Sequence, residues 1–488
     1  MKKFLKLVGY DPSKGTTVKT ELIAGVVTFL AMAYILTVNP NQIFGENSPY
    51  WASAFIATAL GAVIGTLMMA FVAKMPLAQA SGMGLNSMLG GIIGGWGGYG
   101  AAFTPGQGFM LVFISGIFFM LLSIIKIKGK TFREMMFDGM PISVRSAISV
   151  GIGLFIAFIG FQNSKIIIGD EHVLLKLVDF TEYEFDGSHA FICLMGLFLI
   201  AILDKLNVKG SIIIGVIGAA IVGIPFGVTD LSILAGNGNV SWRFWENFAN
   251  FFAGDKSVFF SFTTVFKEGI APEGISLFTV IMIMITMCMI DMFDTMGTVV
   301  GCCGGNRILS DDNNKPRNYG KIMLSDAVST CTGALIGTST VTTFVESGAG
   351  VSAGGRTGLT AFSTAFLFFL SLFSLPIFAA IPSAAAASAL IYVGVLMMKN
   401  NFKSVDFSNA VNATAAFLTI SVMVLSYSIT KGIGVGMVSY TVMSMLLYLI
   451  ELIKYAITKK EKPSWNVSVV AIIVSLLFCV YVFVPATF

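Results

Sequence analysis

The chain is expected to be an all-α polytopic membrane protein, on three observations: its composition, its recurring apolar runs, and acids placed inside those runs. Of its 488 residues 56% are hydrophobic and only 11% charged, and the mean hydropathy is +0.85. Soluble domains carry about 25% charged residues. Apolar runs of about 20 residues, enough to cross a hydrocarbon core of about 30 Å, recur from Leu22 to Val484 without a long soluble segment. No room is left for a separate catalytic domain, so no enzyme activity is expected. The net charge of +4 gathers at particular loops and forms no stripe that tracks a phosphate backbone, which excludes nucleic acid as the partner.

Seven runs come first, at 22–38, 51–73, 78–95, 108–127, 141–161, 189–203 and 210–228. A polar and aromatic loop, 229–274, precedes seven more, at 277–301, 319–337, 339–351, 359–381, 384–398, 413–430 and 432–453. A further run, 467–484, is either a fifteenth crossing or a helix against the bundle, and hydropathy does not choose. The basic start of the chain is too short in its apolar part for a cleavable signal, so 22–38 stays as the first span. Basic residues collect at 2–6, 126–133, 205–209, 307–321, 399–403 and 454–462. If every run crosses, these all lie on one side, which makes that side and the N-terminus cytoplasmic and the membrane the inner one. Because seven is odd, the second seven enter from the opposite face, the topology of an inverted repeat. The expected organisation is a first repeat, 1–228, an extracytoplasmic loop, 229–274, a second repeat, 275–453, and a C-terminal apolar segment, 454–488.

The repeat shows in the order of features more than in letters. The third span opens with Leu77-Ala-Gln-Ala-Ser-Gly-Met-Gly-Leu-Asn-Ser87 and the tenth carries Thr338-Ser-Thr-Val-Thr-Thr-Phe-Val-Glu-Ser-Gly-Ala-Gly350. Short, interrupted apolar segments at matching positions of two halves point to a transporter site, because broken helices leave backbone donors and acceptors free for a ligand.

Three acids lie in these settings. A carboxylate at membrane depth is costly and is usually kept for a substrate, an ion or a proton. Asp291 and Asp294 are spaced i, i+3, on one helix face. Both cannot comfortably be ionised, which suits a group that takes up and releases a proton in each cycle; the plainer alternative is a hydrogen bond to Thr295 or Thr298. Glu346 follows a run of hydroxyl residues and precedes Gly348 and Gly350, so its backbone can bend around a ligand. Asn86, beside Gly84, offers both a donor and an acceptor, and packing between helices is its alternative role. Asp326 is as suited to bonding a neighbouring helix as to touching substrate. Phe29, Tyr34, Phe293 and Phe344 are available as walls for a flat ring, although aromatics in spans more often pack. The six cysteines read as small apolar fillers, and two histidines are too few for a zinc or iron site, so neither metal nor cofactor is expected.

At these residues the chain resembles the AzgA-like purine permeases within the nucleobase-cation-symport type 2 (nucleobase/ascorbate transporter) superfamily. The resemblance is carried by Gly9-Tyr-Asp11, Thr20-Glu-Leu-Ile-Ala-Gly25, Gly82-Met-Gly-Leu-Asn86, Phe293-Asp-Thr-Met-Gly-Thr298 and the stretch from Glu346-Ser-Gly-Ala-Gly350 to Gly358-Leu-Thr360. It implies fourteen spans in two inverted sevens, a core and a gate domain, and short extended strands in the broken spans 3 and 10. It also implies proton-coupled import of adenine, guanine or hypoxanthine, with Asp291 or Asp294, and Glu346, binding the base. Asp294 is the better placed of the two, and Asp291 can tune it by charge repulsion. Gly84 and Asn86 complete the expected substrate contacts; Asp294, Asp291 and Glu346 are the expected proton-coupling groups. The expected partners are a purine base, a proton, the bilayer and, as one assembly, a second copy of the chain. Three readings compete: a carrier of another small solute or anion on the same fold, disfavoured for anions by three acids; an intramembrane aspartyl protease, which needs its acids on separate helices; and a structural or signalling membrane protein, which has no use for buried acids in broken spans.

Overall fold

In hydrocarbon every peptide group must find its partner within the protein, so each apolar run coils into a helix unless another strand pairs with it. A computed structural model describes residues 2–46, 48–95, 102–127, 130–131, 142–170, 174–180, 185–235, 241–303, 308–310, 316–426, 428–459, 465 and 467–483. Spans 1 (Val18–Phe44), 2 (Trp51–Ala73) and 4 (Pro105–Ile124) are long apolar helices. So are spans 5 (Ile142–Asn163) and 6 (Phe185–Lys205), whereas span 7 (Ser211–Gly223) has 13 residues. In the second half come spans 8 (Leu277–Cys303), 9 (Tyr319–Ile336), 11 (Gly358–Ala379), 12 (Ser383–Asn401), 13 (Ala410–Leu425) and 14 (Ile429–Thr458).

Spans 3 and 10 are broken. Span 3 is a strand, β1 (Gln79–Ser81), followed by a helix, Met83–Gly94; span 10 is a strand, β2 (Val341–Thr343), followed by a helix, Ser347–Ser352. The strands pair antiparallel, Gln79 with Thr343, Ala80 with Thr342 and Ser81 with Val341. The ladder is lengthened at both ends, by Gly82 N–H to the Thr340 carbonyl and Phe344 N–H to the Ala78 carbonyl, each 3.0 Å. Thr66 of span 2 brackets the backbone of Gln79, its hydroxyl 3.0 Å from both the N–H and the carbonyl. Asp326 of span 9, fully buried, accepts from the Gln79 amide at 2.8 Å and from the hydroxyls of Thr295 at 2.6 Å and Thr343 at 3.3 Å. It thereby ties spans 3, 8 and 10 to span 9, and of its two expected roles this is the bonding one.

Packing divides the spans into two bodies. Spans 1 to 4 pack among spans 8 to 11, with span 9 on spans 2 and 4, span 11 on spans 1 and 2, and the helix of span 10 on span 1. Spans 5 to 7 pack on spans 12 and 13, and span 14 on span 13. These are the core and gate domains of the 7+7 inverted-repeat fold. Two motifs that lie far apart in sequence meet in the core. Glu21, fully buried in span 1, accepts from the N–H groups of Arg356 and Thr357 at 3.1 and 3.3 Å and from the Thr360 hydroxyl.

The division between spans 13 and 14 differs from the hydropathy reading. Span 13 ends at Leu425 and span 14 begins at Ile429 and runs 30 residues. Between them the Ser426 hydroxyl takes the Val422 carbonyl, and the Ser428 side chain caps the Lys431 N–H. Hydroxyls thus satisfy the freed backbone at this turn, a few residues before the point where Lys431 interrupts the apolar run. The C-terminal run forms a 15-residue helix, Val469–Phe483, about 22 Å long. It lies antiparallel against span 14, with the Ser475 hydroxyl 2.7 Å from that of Thr441 and 3.0 Å from the Met437 carbonyl. Phe478 fills the place a side chain at Gly434 would need.

Span 10 reaches span 1 only because Gly350 has no side chain. A Cβ there would collide with the Thr28 hydroxyl and lie 2.9 Å from the Ala24 carbonyl, whereas one at Gly348 meets nothing nearer than Cys302 at 3.6 Å. Gly350→Val is expected to destabilise the protein by about 1–3 kcal/mol and Gly348→Ala by much less. Thermal unfolding in detergent checks the order, and equal losses would show that span 10 does not rely on this approach.

Candidate functional site

Leaving their strands, the two broken spans start new helices at the wall of one cavity. This cavity, of about 440 Å³, is lined by Met83 and Gly84 of span 3, Asp294, Thr298 and Cys302 of span 8, and Phe344, Glu346 and Gly348 of span 10. The gate closes the other side with Ile152 and Ile156 of span 5 and Met397 and Asn401 of span 12. Its size is that of a small-molecule pocket, and its wall mixes polar groups with apolar ones.

The polar groups have distinct origins. Glu346 stands between β2 and the helix of span 10 and is 7% exposed. The Tyr34 hydroxyl donates to its Oε1 at 2.7 Å, and Oε2 is buried with no partner among the described residues. Tyr34, itself 1% exposed, sits where span 1 is interrupted between Met32 and Ile35, and that break turns its ring toward span 10. The helix of span 3 begins at Met83 without a side-chain cap, so its first N–H groups have no helical acceptor and its positive dipole end faces the cavity. Gly84 keeps that end open: a Cβ there would lie 3.0 Å from Ile152. The cavity therefore offers two carboxylates as acceptors and a helix start as donor, between the Phe344 ring and aliphatic gate residues.

Of the residues expected from sequence, Asp294, Glu346 and Gly84 come together here; Asn86 and Asp291 do not line the cavity. Asn86 is fully buried, its Oδ1 accepting from the Ser339 hydroxyl and its amide reaching the Ser81 carbonyl at 3.4 Å, so it joins the ends of the two strands. Asp291 accepts from the Thr330 hydroxyl of span 9 at 2.9 Å. The i, i+3 pair is offset by about 60° around the helix, enough to turn one acid to the cavity and the other into the core. Among the expected rings, Phe344 is a wall and Tyr34 a hydrogen-bond donor. Phe29 packs edge-on against Phe368 at 5.1 Å, and the Phe293 side chain lies outside the described ones. Sequence reading missed the bonding role of Tyr34, and with it the gate wall, whose aliphatic residues carry no signal beyond hydropathy.

A neighbouring cavity of about 420 Å³ shares Val345, Glu346, Gly348 and Ser352 with the first and extends past Ala31 to Lys209 in the connection between spans 6 and 7. Glu346 is thus approached from the end of the molecule that carries Lys209, Lys399 and Lys403. Tyr34→Phe leaves both Glu346 oxygens without a donor and is expected to cost about 1–3 kcal/mol. In a thermal-unfolding double-mutant cycle with Glu346→Gln, additive losses would show that the two side chains are not coupled.

The Permease family model (Xan_ur_permease) matches residues 19–435. The chain is 33% identical over 435 residues to adenine permease AdeQ of Escherichia coli, covering 89% of each protein. It is 34% identical over 442 residues to guanine/hypoxanthine permease PbuO of Bacillus subtilis, covering 88% of this chain and 91% of that one. Its fold is similar to the transmembrane domain of a cyanobacterium bicarbonate transporter, BicA, with a TM-score of 0.56 at 14% identity over 86% of this chain and 97% of that domain. The match from span 1 into span 14, the two crossed half-spans and the family expected from the motifs agree: the chain belongs to the Permease family, as a multi-pass membrane transporter and not an enzyme.

Proposed function

We propose that the protein imports purine nucleobases across the inner membrane by alternating access, coupled to protons. The observation that carries this reading is the convergence of Asp294, Glu346 and the open helix start at Gly84 on one cavity between core and gate. A purine presents ring N–H groups, ring nitrogens and a 6-oxo or 6-amino group in one plane. The free Oε2 of Glu346 can accept from an N–H, the first amides of the span 3 helix can donate to a ring nitrogen or oxo group, and Phe344 can cover a face. Names of relatives such as AdeQ and PbuO support the same substrate class.

Asp294 is assigned the proton, since it faces the cavity and Asp291 lies one turn behind it. Asn86 and Asp291 act indirectly, the first by fixing the strand ends and the second through its charge. With the basic end placed in the cytoplasm, both cavities around Glu346 open inward, and rocking of the core against the gate would expose the site to the other side. The fold is also that of a bicarbonate transporter, but two carboxylates in the cavity suit a ligand that donates hydrogen bonds better than an anion.

Uptake of radiolabelled adenine, guanine and hypoxanthine, with unlabelled competitors, in cells lacking their own purine permeases tests the reading. Accumulation should collapse with a protonophore. Glu346→Gln should weaken binding about 10- to 150-fold, the loss of a charge-assisted hydrogen bond, and Asp294→Asn should abolish accumulation. Uptake that ignores the protonophore but stops without sodium would overturn the coupling, and wild-type affinity in Glu346→Gln would return that residue to a structural role.

A further inference from the structure

A further cavity, of about 590 Å³, continues along two helices of the carboxylate cavity, spans 3 and 5, toward the opposite end of the molecule. The carboxylate cavity ends at Gly84 on span 3 and Ile156 on span 5, and the second begins at Ser87 and Ile159. Three residues of helix, a rise of about 4.5 Å, separate them on each span. Asn41 and Gln42, at the end of span 1, bring two side-chain amides to its wall.

Gln42 is 8% exposed, and among the described residues neither atom of its amide has a partner; the Asn41 amide nitrogen also lacks one, while its oxygen accepts from the Trp51 indole. The position of Gln42 is fixed by its backbone. A Cβ at Gly90 of span 3 would collide with the Gln42 carbonyl and lie 3.3 Å from the Ile43 Cα, so the end of span 1 rests directly on span 3. A buried amide with no partner is destabilising, and an apolar side chain of the same shape would remove that cost. Its presence on a cavity wall points to a ligand that completes it.

We infer that this cavity is a second nucleobase subsite, the first to receive the base from outside, in which the Gln42 amide pairs with a donor and an acceptor side by side on the base edge. The inference rests on the purine reading above. An amide carries one donor and one acceptor in a plane, the arrangement that lets glutamine or asparagine match adenine at its amino group and neighbouring ring nitrogen. The wall is otherwise neutral, with Asn41, Ser87 and Asn163 beside Phe44 and Ile159, which suits an uncharged planar solute and gives no counter-charge to an ion.

The test is Gln42→Met, which keeps the length of the side chain and removes its hydrogen bonds. Initial rates of [³H]adenine uptake into proteoliposomes and thermal unfolding in detergent are measured together. KM is expected to rise about tenfold with maximal rate kept, while the melting temperature stays level or rises. Gln42→Leu, which also removes both hydrogen bonds, should raise KM likewise and serves if the methionine variant does not fold. Unchanged KM in a folded variant, with wild-type uptake intact, means that the cavity holds only water and overturns the subsite alone. Absence of purine uptake by the wild type overturns the function and the subsite together.

Discussion

In hydrocarbon a peptide group that leaves a helix must find another partner, and in this protein two interrupted spans find each other. Three residues of span 3 and three of span 10 form the smallest useful ladder, Gln79 to Ser81 against Val341 to Thr343. The site depends on that pairing. It lets both spans stop short of a full crossing, it fixes where each resumes as a helix, and it places Gly84 and Glu346 within a few residues of its ends. Asp326, Thr66 and Asn86 are spent on holding the ladder, so their polarity belongs to the scaffold even though they lie close to the cavity.

The two bodies divide the chemistry. Polar side chains of the core bond one another, as Glu21 does with the segment from Arg356 to Thr360 and Asp326 with three spans. The gate presents aliphatic side chains such as Ile152, Ile156 and Met397 to the cavity. An aliphatic surface can slide more readily than a hydrogen-bonded one, whereas the bonded core moves as a unit. Tyr34 is the exception within the core: its bond to Glu346 ties a break in span 1 to the break in span 10, so the two irregular places in the lining are mechanically joined.

Much of this was legible in the sequence, and the remainder was hidden for identifiable reasons. The number and order of the spans follow from hydropathy, and the broken spans from glycine and hydroxyl residues in short apolar runs. Asp294 and Glu346 stood out because a carboxylate in an apolar run is costly and must meet either a ligand or a bonding partner in the protein. What a one-dimensional reading did not separate was Asp291 from Asp294, since a turn of about 60° decides between cavity and core and that turn is set by packing against span 9. Asn86 looked like a ligand for a similar reason: an amide offers the same donor and acceptor to a strand end as to a base. The boundary between spans 13 and 14 was read a few residues late because Lys431 is the plainest interruption of the apolar run, whereas the turn is made by Ser426 and Ser428 just before it.

The ladder also bears on how the protein is made. Gln79 and Thr343 share a hydrogen bond across 264 positions of chain, a stretch that takes on the order of tens of seconds to synthesise. Throughout that time β1 lacks the partner strand it pairs with in the finished protein. The first repeat is therefore not a finished folding unit when it leaves the ribosome; it has to shelter its open strand against its own helices or a chaperoning surface until the second repeat arrives. A chain truncated before span 10 would present the quality-control machinery with an unsatisfied strand edge in the membrane, and the inverted repeats, alike in plan, are in this respect wholly dependent on each other.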